Sequence, residues 1–173
     1  MVQSAFIHRR FENIFLDEEI AMLKVAILMG SISDAEVMSA AVELLDYFGI
    51  ENETHILSAH RTPEDTAKFA KAAEANGFSA IIAGAGMAAH LPGVVASYTT
   101  LPVIGVPLAG SALNGVDALY AIVQMPKGVP VATMTIGKAG AGNAAIFVAE
   151  LFALQNAEIN VKLKQFRQNG CKI

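Results

Sequence analysis

Within Ser58-Ala59-His60-Arg61-Thr62-Pro63 an imidazole and a guanidinium stand side by side just ahead of a proline that can open a helix. His60 can exchange a proton near neutral pH, and Arg61 can hold a phosphate or carboxylate through two parallel hydrogen bonds. A structural histidine next to a surface arginine is the competing reading of this pair. A second imidazole, His90, is the one histidine between residues 75 and 116. It lies in Gly84-Ala85-Gly86-Met87-Ala88-Ala89-His90-Leu91-Pro92-Gly93, where small residues such as Gly86 and Ala88 let the backbone approach a ligand or another chain closely. An apolar stretch with one histidine is also what a core with one satisfied polar group looks like. A third segment, Gly30-Ser31-Ile32-Ser33-Asp34, offers hydroxyls and free backbone N–H groups suited to a phosphate or a sugar at a helix start. Its structural reading is Ser33 as an N-cap, with Glu36 three residues later completing a capping box. Neither His60 nor His90 has a second His, Cys or carboxylate nearby at ligand spacing, so no metal is expected. The phosphate loop GxxxxGK[ST] and the dinucleotide fingerprint GxGxxG are both missing from the segment after the first strand, which disfavours a nucleoside triphosphatase or a dinucleotide enzyme of the usual type. His55 falls inside a strand pattern and His8 in the leading segment, where packing or solvent exposure accounts for them.

These segments need elements to position them, and the chain alternates short β-rich runs with longer helical patterns, the signature of βαβ units and a parallel sheet. Strands are expected near residues 24–29, 53–57, 80–83, 103–106 and 131–135. Val37, Ala41, Leu44, Leu45 and Phe48 recur at helical spacing, and Gly49 follows as a stop. Thr62 as N-cap, Pro63 at the first helical position and Gly77 past the end delimit a helix over 63–76. Further helices are expected over 88–98, 113–124 and 138–154, and a polar one over 157–168. The three chemical segments each follow a strand, which is where ligands bind in an open parallel α/β sheet.

At 173 residues the chain suits one domain. It is 54% hydrophobic and 16% charged, more apolar than an ordinary soluble domain. No Asp, Glu, Lys or Arg occurs from Ala75 to Val116. Glycines and prolines interrupt that stretch before about 18 apolar residues accumulate, so it reads as core plus subunit interface, with no membrane span. A net charge of −4 without a basic block makes nucleic acid an improbable partner. The single cysteine, Cys171, precludes an intrachain disulfide and fits a reducing, cytoplasmic setting. Residues 1–22 are expected to be a weakly ordered extension ahead of one catalytic domain over 23–173 that ends in a helix. They have His8-Arg9-Arg10 but no apolar signal core, and Glu12, Asp17, Glu18 and Glu19 intervene. The strand pattern starts at Leu23, which makes Met22 a candidate natural start.

Taken together, Gly30-Ser31-x-Ser33-Asp34, Ser58-Ala59-His60-Arg61-Thr62-Pro63 and Ala88-Ala89-His90-Leu91-Pro92-Gly93 closely resemble the class I PurE family, the bacterial N5-carboxyaminoimidazole ribonucleotide mutases. The similarity continues through Gly115-Val116-Asp117-Ala118-Leu119, Ile122-Val123-Gln124-Met125-Pro126 and Gly137-Lys138-Ala139-Gly140, and spans residues 24–154. It implies a three-layer αβα sandwich of flavodoxin-like type with a parallel sheet of about five strands. It also implies a cytoplasmic homo-octamer of purine biosynthesis that moves a carboxylate from the exocyclic nitrogen of an aminoimidazole ribonucleotide to ring carbon C4, without ATP, metal or biotin. By the same resemblance His60 and His90 are the catalytic pair, and Ser31, Asp34 and Arg61 bind the ribonucleotide, helped by Ser33 and Ser58, with Gly86 and Ala88 beside them. One departure is visible: Met87 stands where the family commonly has a glycine, and methionine takes positive φ only at a cost. The position is therefore expected either to have ordinary helix-start geometry or to reshape the loop. Three rival readings remain. One is the related aminoimidazole ribonucleotide carboxylase that uses free CO2, and another a carboxylase acting on a pyridinium nucleotide, whose usual extra domain has no room here. The third is a non-enzymatic nucleotide-binding flavodoxin-like module. A receiver of that type needs an acidic residue at the end of the third strand, where this chain has Gly84.

Overall fold

A computed structural model describes residues 23–173; the leading extension, His8 included, lies outside the described residues. Lys24–Met29 (β1), Phe78–Gly86 (β3) and Val103–Leu108 (β4) are almost wholly buried, the near-continuous apolar runs that strands need when both faces of a sheet are covered. Glu51–Ile56 (β2) and Ala132–Thr133 (β5) flank them in the order β2-β1-β3-β4-β5, all parallel. β2 is the polar edge strand, and His55 within it packs on Phe69 with ring centroids 4.6 Å apart.

Helices cover both faces. Ala35–Phe48 (α1), Lys138–Ala153 (α5) and Ala157–Gln168 (α6) bury Met38, Leu45, Val148 and Phe166 against Val25, Ile27, Ile82 and Ile104. Pro63–Ala72 (α2), Leu91–Ala96 (α3) and Val116–Val123 (α4) bury Ala70, Val95 and Ile122 against Leu28, Ile81 and Ala83. This is the flavodoxin-like αβα sandwich. Gly49, at φ +74°, closes α1 by donating to Asp46 O at 3.0 Å while Ile50 N donates to Leu45 O at 2.9 Å, which turns the chain directly into β2.

Four expected elements come out shorter. The 63–76 helix ends at Ala72, and residues 73–77 form tightening turns before Gly77 at φ +83°. The 88–98 helix starts only at Leu91, because residues 87–90 follow a non-helical path set by a positive φ at Met87. The 113–124 helix starts at Val116, because Asn114 and Gly115 are both left-handed. β5 keeps only the two residues that find β4 partners, Ile104 and Gly105.

Candidate active site

β1 and β3 are neighbours, yet the helices that follow them pack on opposite faces of the sheet. The loops leaving the carboxyl ends of β1 and β3 therefore part and open a crevice between them, the place where open α/β sheets bind ligands. A cavity of about 610 Å³ occupies this crevice. Ser31, Ser33 and Asp34 line it from the end of β1, and Ser58, His60 and Arg61 from the end of β2. Gly86, Ala88 and His90 line it from the end of β3. All nine residues singled out from the sequence thus share one cavity.

The two imidazoles face each other across it. His60 Nε2 lies 2.8 Å from His90 Nδ1, with the rings edge to face and their centroids 4.8 Å apart. One N–H serves this hydrogen bond, and which ring supplies it depends on the tautomers. His60 is carried by the turn ahead of α2, and that turn is pinned from within. Ser58 N donates to Thr62 Oγ1 at 3.0 Å and Thr62 Oγ1 donates to Ser58 O at 3.2 Å. Thr62 holds the N-cap position of α2 but spends its hydroxyl on this turn, so it makes no side-chain cap. Buried Thr66 secures the other side, donating its hydroxyl to Thr62 O at 2.9 Å.

Arg61 ties two strand ends together. Its Nη2 donates to Gly30 O at 2.5 Å and its Nε lies 3.5 Å from Ser58 Oγ, which leaves its remaining N–H groups for an anion. The β1 loop is a short 3-10 turn, Ile32–Asp34, capped by Ser31 with Asp34 as the reciprocal partner: Ser31 N donates to Asp34 Oδ2 at 3.1 Å. Ser33 is therefore not the N-cap and Glu36 does not close a box with it, because the extra 3-10 turn moves the cap two residues earlier. Ser33 instead donates both its N–H, at 3.3 Å, and its hydroxyl, at 3.0 Å, to Ser31 Oγ. When the one Ser33 hydroxyl proton serves Ser31 Oγ in this way, the Ser31 hydroxyl proton is free for a ligand. Burial pushes the Asp34 carboxyl above the ordinary aspartate range, opposed by the hydrogen bonds from Ser31 and Ser33 and by the charge of Arg61.

Leu108, Ala109 and Gly110 close the cavity from the end of β4. Nothing in their side chains marked them in the sequence; their place directly after a strand was the available signal. Met87 also lines the cavity, at φ +56°, so its position does not have helix-start geometry.

A profile of the family described as AIR carboxylase matches residues 24–172. The chain belongs to the AIR carboxylase family. Among members of this family, the N5-carboxyaminoimidazole ribonucleotide mutase of Saccharolobus solfataricus is 54% identical over 148 residues, covering 86% of this chain and 92% of the relative. The protein of the same name from Escherichia coli K12 is 50% identical over 145 residues, covering 84% and 86%. The crystal structure of Treponema denticola PurE superposes with a TM-score of 0.77 at 31% identity, covering 85% of this chain and 90% of that one. AIR carboxylase family membership thus spans the whole sheet and every residue of the cavity.

Proposed function

We propose that the chain is an N5-carboxyaminoimidazole ribonucleotide mutase of purine biosynthesis, with residues 23–173 as its catalytic unit. The observation that carries this reading is the pair of imidazoles in direct hydrogen-bond contact at the mouth of the sheet, in a chain about half identical to mutases over most of its length. A carbamate loses CO2 readily once its nitrogen is protonated, and the aminoimidazole left behind is an enamine whose C4 is nucleophilic. His60, as imidazolium, donates Nε2–H to His90 Nδ1 and keeps an Nδ1–H for the substrate. It gives a proton to the exocyclic nitrogen as the N–C bond breaks, and CO2 is released into the cavity. C4 attacks that CO2, and the neutral His60 takes the C4 proton, which restores the aromatic ring and the imidazolium. The C–C bond formed replaces the N–C bond broken, and no net proton is consumed.

Arg61 holds the phosphate, Asp34 the ribose hydroxyls and Ser31 donates to an anionic oxygen, with Ser33 and Ser58 orienting Ser31 and Arg61. Gly86 and Ala88 keep the β3 loop low enough for the ring to approach. The reaction needs no cofactor. The enzyme works as a homo-oligomer, an octamer by resemblance, in the cytoplasm; among the described residues no helix is long and apolar enough to cross a membrane. Incubation with freshly made N5-carboxyaminoimidazole ribonucleotide, without ATP and with EDTA and avidin present, should yield the C4-carboxylated nucleotide. Absence of product, or product only when a metal is added, contradicts the reading.

A further inference from the structure

Met87, Asn114 and Cys171 are the non-glycine residues with positive φ among the described residues, and of these Met87 alone lines the cavity. A left-handed backbone is strained for a residue with a side chain such as methionine. The turn itself has a clear purpose. Ala89 N donates to Met87 O at 2.9 Å and His90 N to Ala88 O at 2.7 Å, a tight path that delivers His90 to His60. Glycine gives the same path without strain, so the turn explains the φ and leaves the methionine unexplained. Packing within the subunit does not offset the cost, because Met87 is 60% exposed. An outlier of this kind at a site points to a role for the side chain in that site.

We propose that the Met87 side chain is the apolar cover that retains CO2 between cleavage of the carbamate and attack by C4, a role that rests on the mutase reading. CO2 has no charge and no dipole, so hydrogen bonds hold it poorly and retention depends on closing its exit with apolar surface and keeping water out. Met87 lines the cavity and is itself exposed, as are Ala88 and His90 beside it. A flexible, polarisable thioether can fold over a nucleotide after it enters and swing away for release. When the cover fails, the N–C bond still breaks and the nitrogen still gains its proton, but CO2 escapes and the decarboxylated nucleotide is released.

The experiment compares wild type, Met87→Gly and Met87→Leu in CO2-depleted buffer. It reads decarboxylated nucleotide released per C4-carboxylated product formed, after subtraction of enzyme-free decay. Met87→Gly should raise this ratio at least about tenfold, the lower end of what losing apolar contact in a pocket costs. It should melt at or above the wild-type temperature, since the strain is relieved. Met87→Leu, which keeps the apolar bulk, should hold the ratio within about threefold of wild type, a small fraction of that contact. An unchanged ratio in Met87→Gly overturns the cover while leaving the mutase reading intact. A raised ratio that light scattering ties to loss of assembly overturns it in favour of a subunit contact. A wild-type enzyme that makes no product overturns both.

Discussion

His60 combines proton exchange with a fixed neighbour, so chemistry and binding should separate when it is replaced. His60→Asn keeps a polar side chain on the same pinned turn. It should bind the nucleotide and fold normally while kcat falls by at least about 10² to 10⁴, the usual contribution of a positioned acid-base group. Turnover within tenfold of wild type, by steady-state assay, shifts the role to His90. Arg61→Ala should mainly raise KM, because a phosphate remote from the reacting atoms contributes binding that is largely uniform along the reaction. The contact to Gly30 O adds that the β1 and β2 loops lose a tie as well. An unchanged KM removes Arg61 from the phosphate subsite. Asp34 gives a prediction of opposite sign for stability and function. Its carboxyl holds a proton more tightly in the fold than in the unfolded chain, so stability falls as pH rises from the unfolded pKa to the folded one, and the cost persists above it. Asp34→Asn should therefore melt at or above wild type at neutral pH, with the gap closing below the carboxylate range, while KM rises. Calorimetry at the two pH values checks the stability half, and a midpoint lower than wild type at neutral pH contradicts it. At this scale the sequence revealed which residues meet, since each motif directly follows a strand, but it hid how they are wired. Ser31 rather than Ser33 caps the turn, and Thr62 faces backward, because both depend on a 3-10 turn and a loop hydrogen bond that residue spacing does not encode.

Several elements were legible almost to the residue. β1, α5 and α6 fall within a residue of their expected ranges and α1 ends at its Gly49 stop; the structure adds Asn156 as the cap of α6, its side chain accepting from Glu158 N and Ile159 N. The elements that came out short are those where local backbone geometry overrides periodicity. Leu113 and Ala88 fall within expected helices, but the left-handed neighbours Asn114 and Met87 forbid the helix there. The start of α5 shows how closely the layers approach. A Cβ at Gly140 would overlap the Thr135 carbonyl oxygen, a backbone atom that cannot rotate away. Gly140→Ala should cost on the order of 3 kcal/mol, the upper end of ordinary overpacking. A melting temperature equal to wild type shows that α5 can slide along the sheet.

The whole molecule carries more apolar residues than one subunit hides. The charge-free stretch is mostly absorbed by its own core, with Leu91 and Val95 buried. Exposed apolar groups gather instead along α4 and the turn before it, where Leu113, Val116, Tyr120 and Val123 are 62%, 44%, 61% and 49% exposed at spacings of three and four residues. A stripe of this kind is unusual on a monomer, so the expected assembly buries α4. Light scattering should report a closed oligomer, and a stable particle of 18.2 kDa contradicts that. In a mutase the carboxylate lost from nitrogen is the one gained by C4. The direct measurement uses N5-carboxyaminoimidazole ribonucleotide labelled with 13C in its carbamate, turned over without ATP in a large excess of unlabelled bicarbonate and CO2. Product that keeps most of the 13C is the expected result. Product carrying only the label content of the bulk pool identifies a carboxylase that draws on free CO2 and contradicts the mutase account.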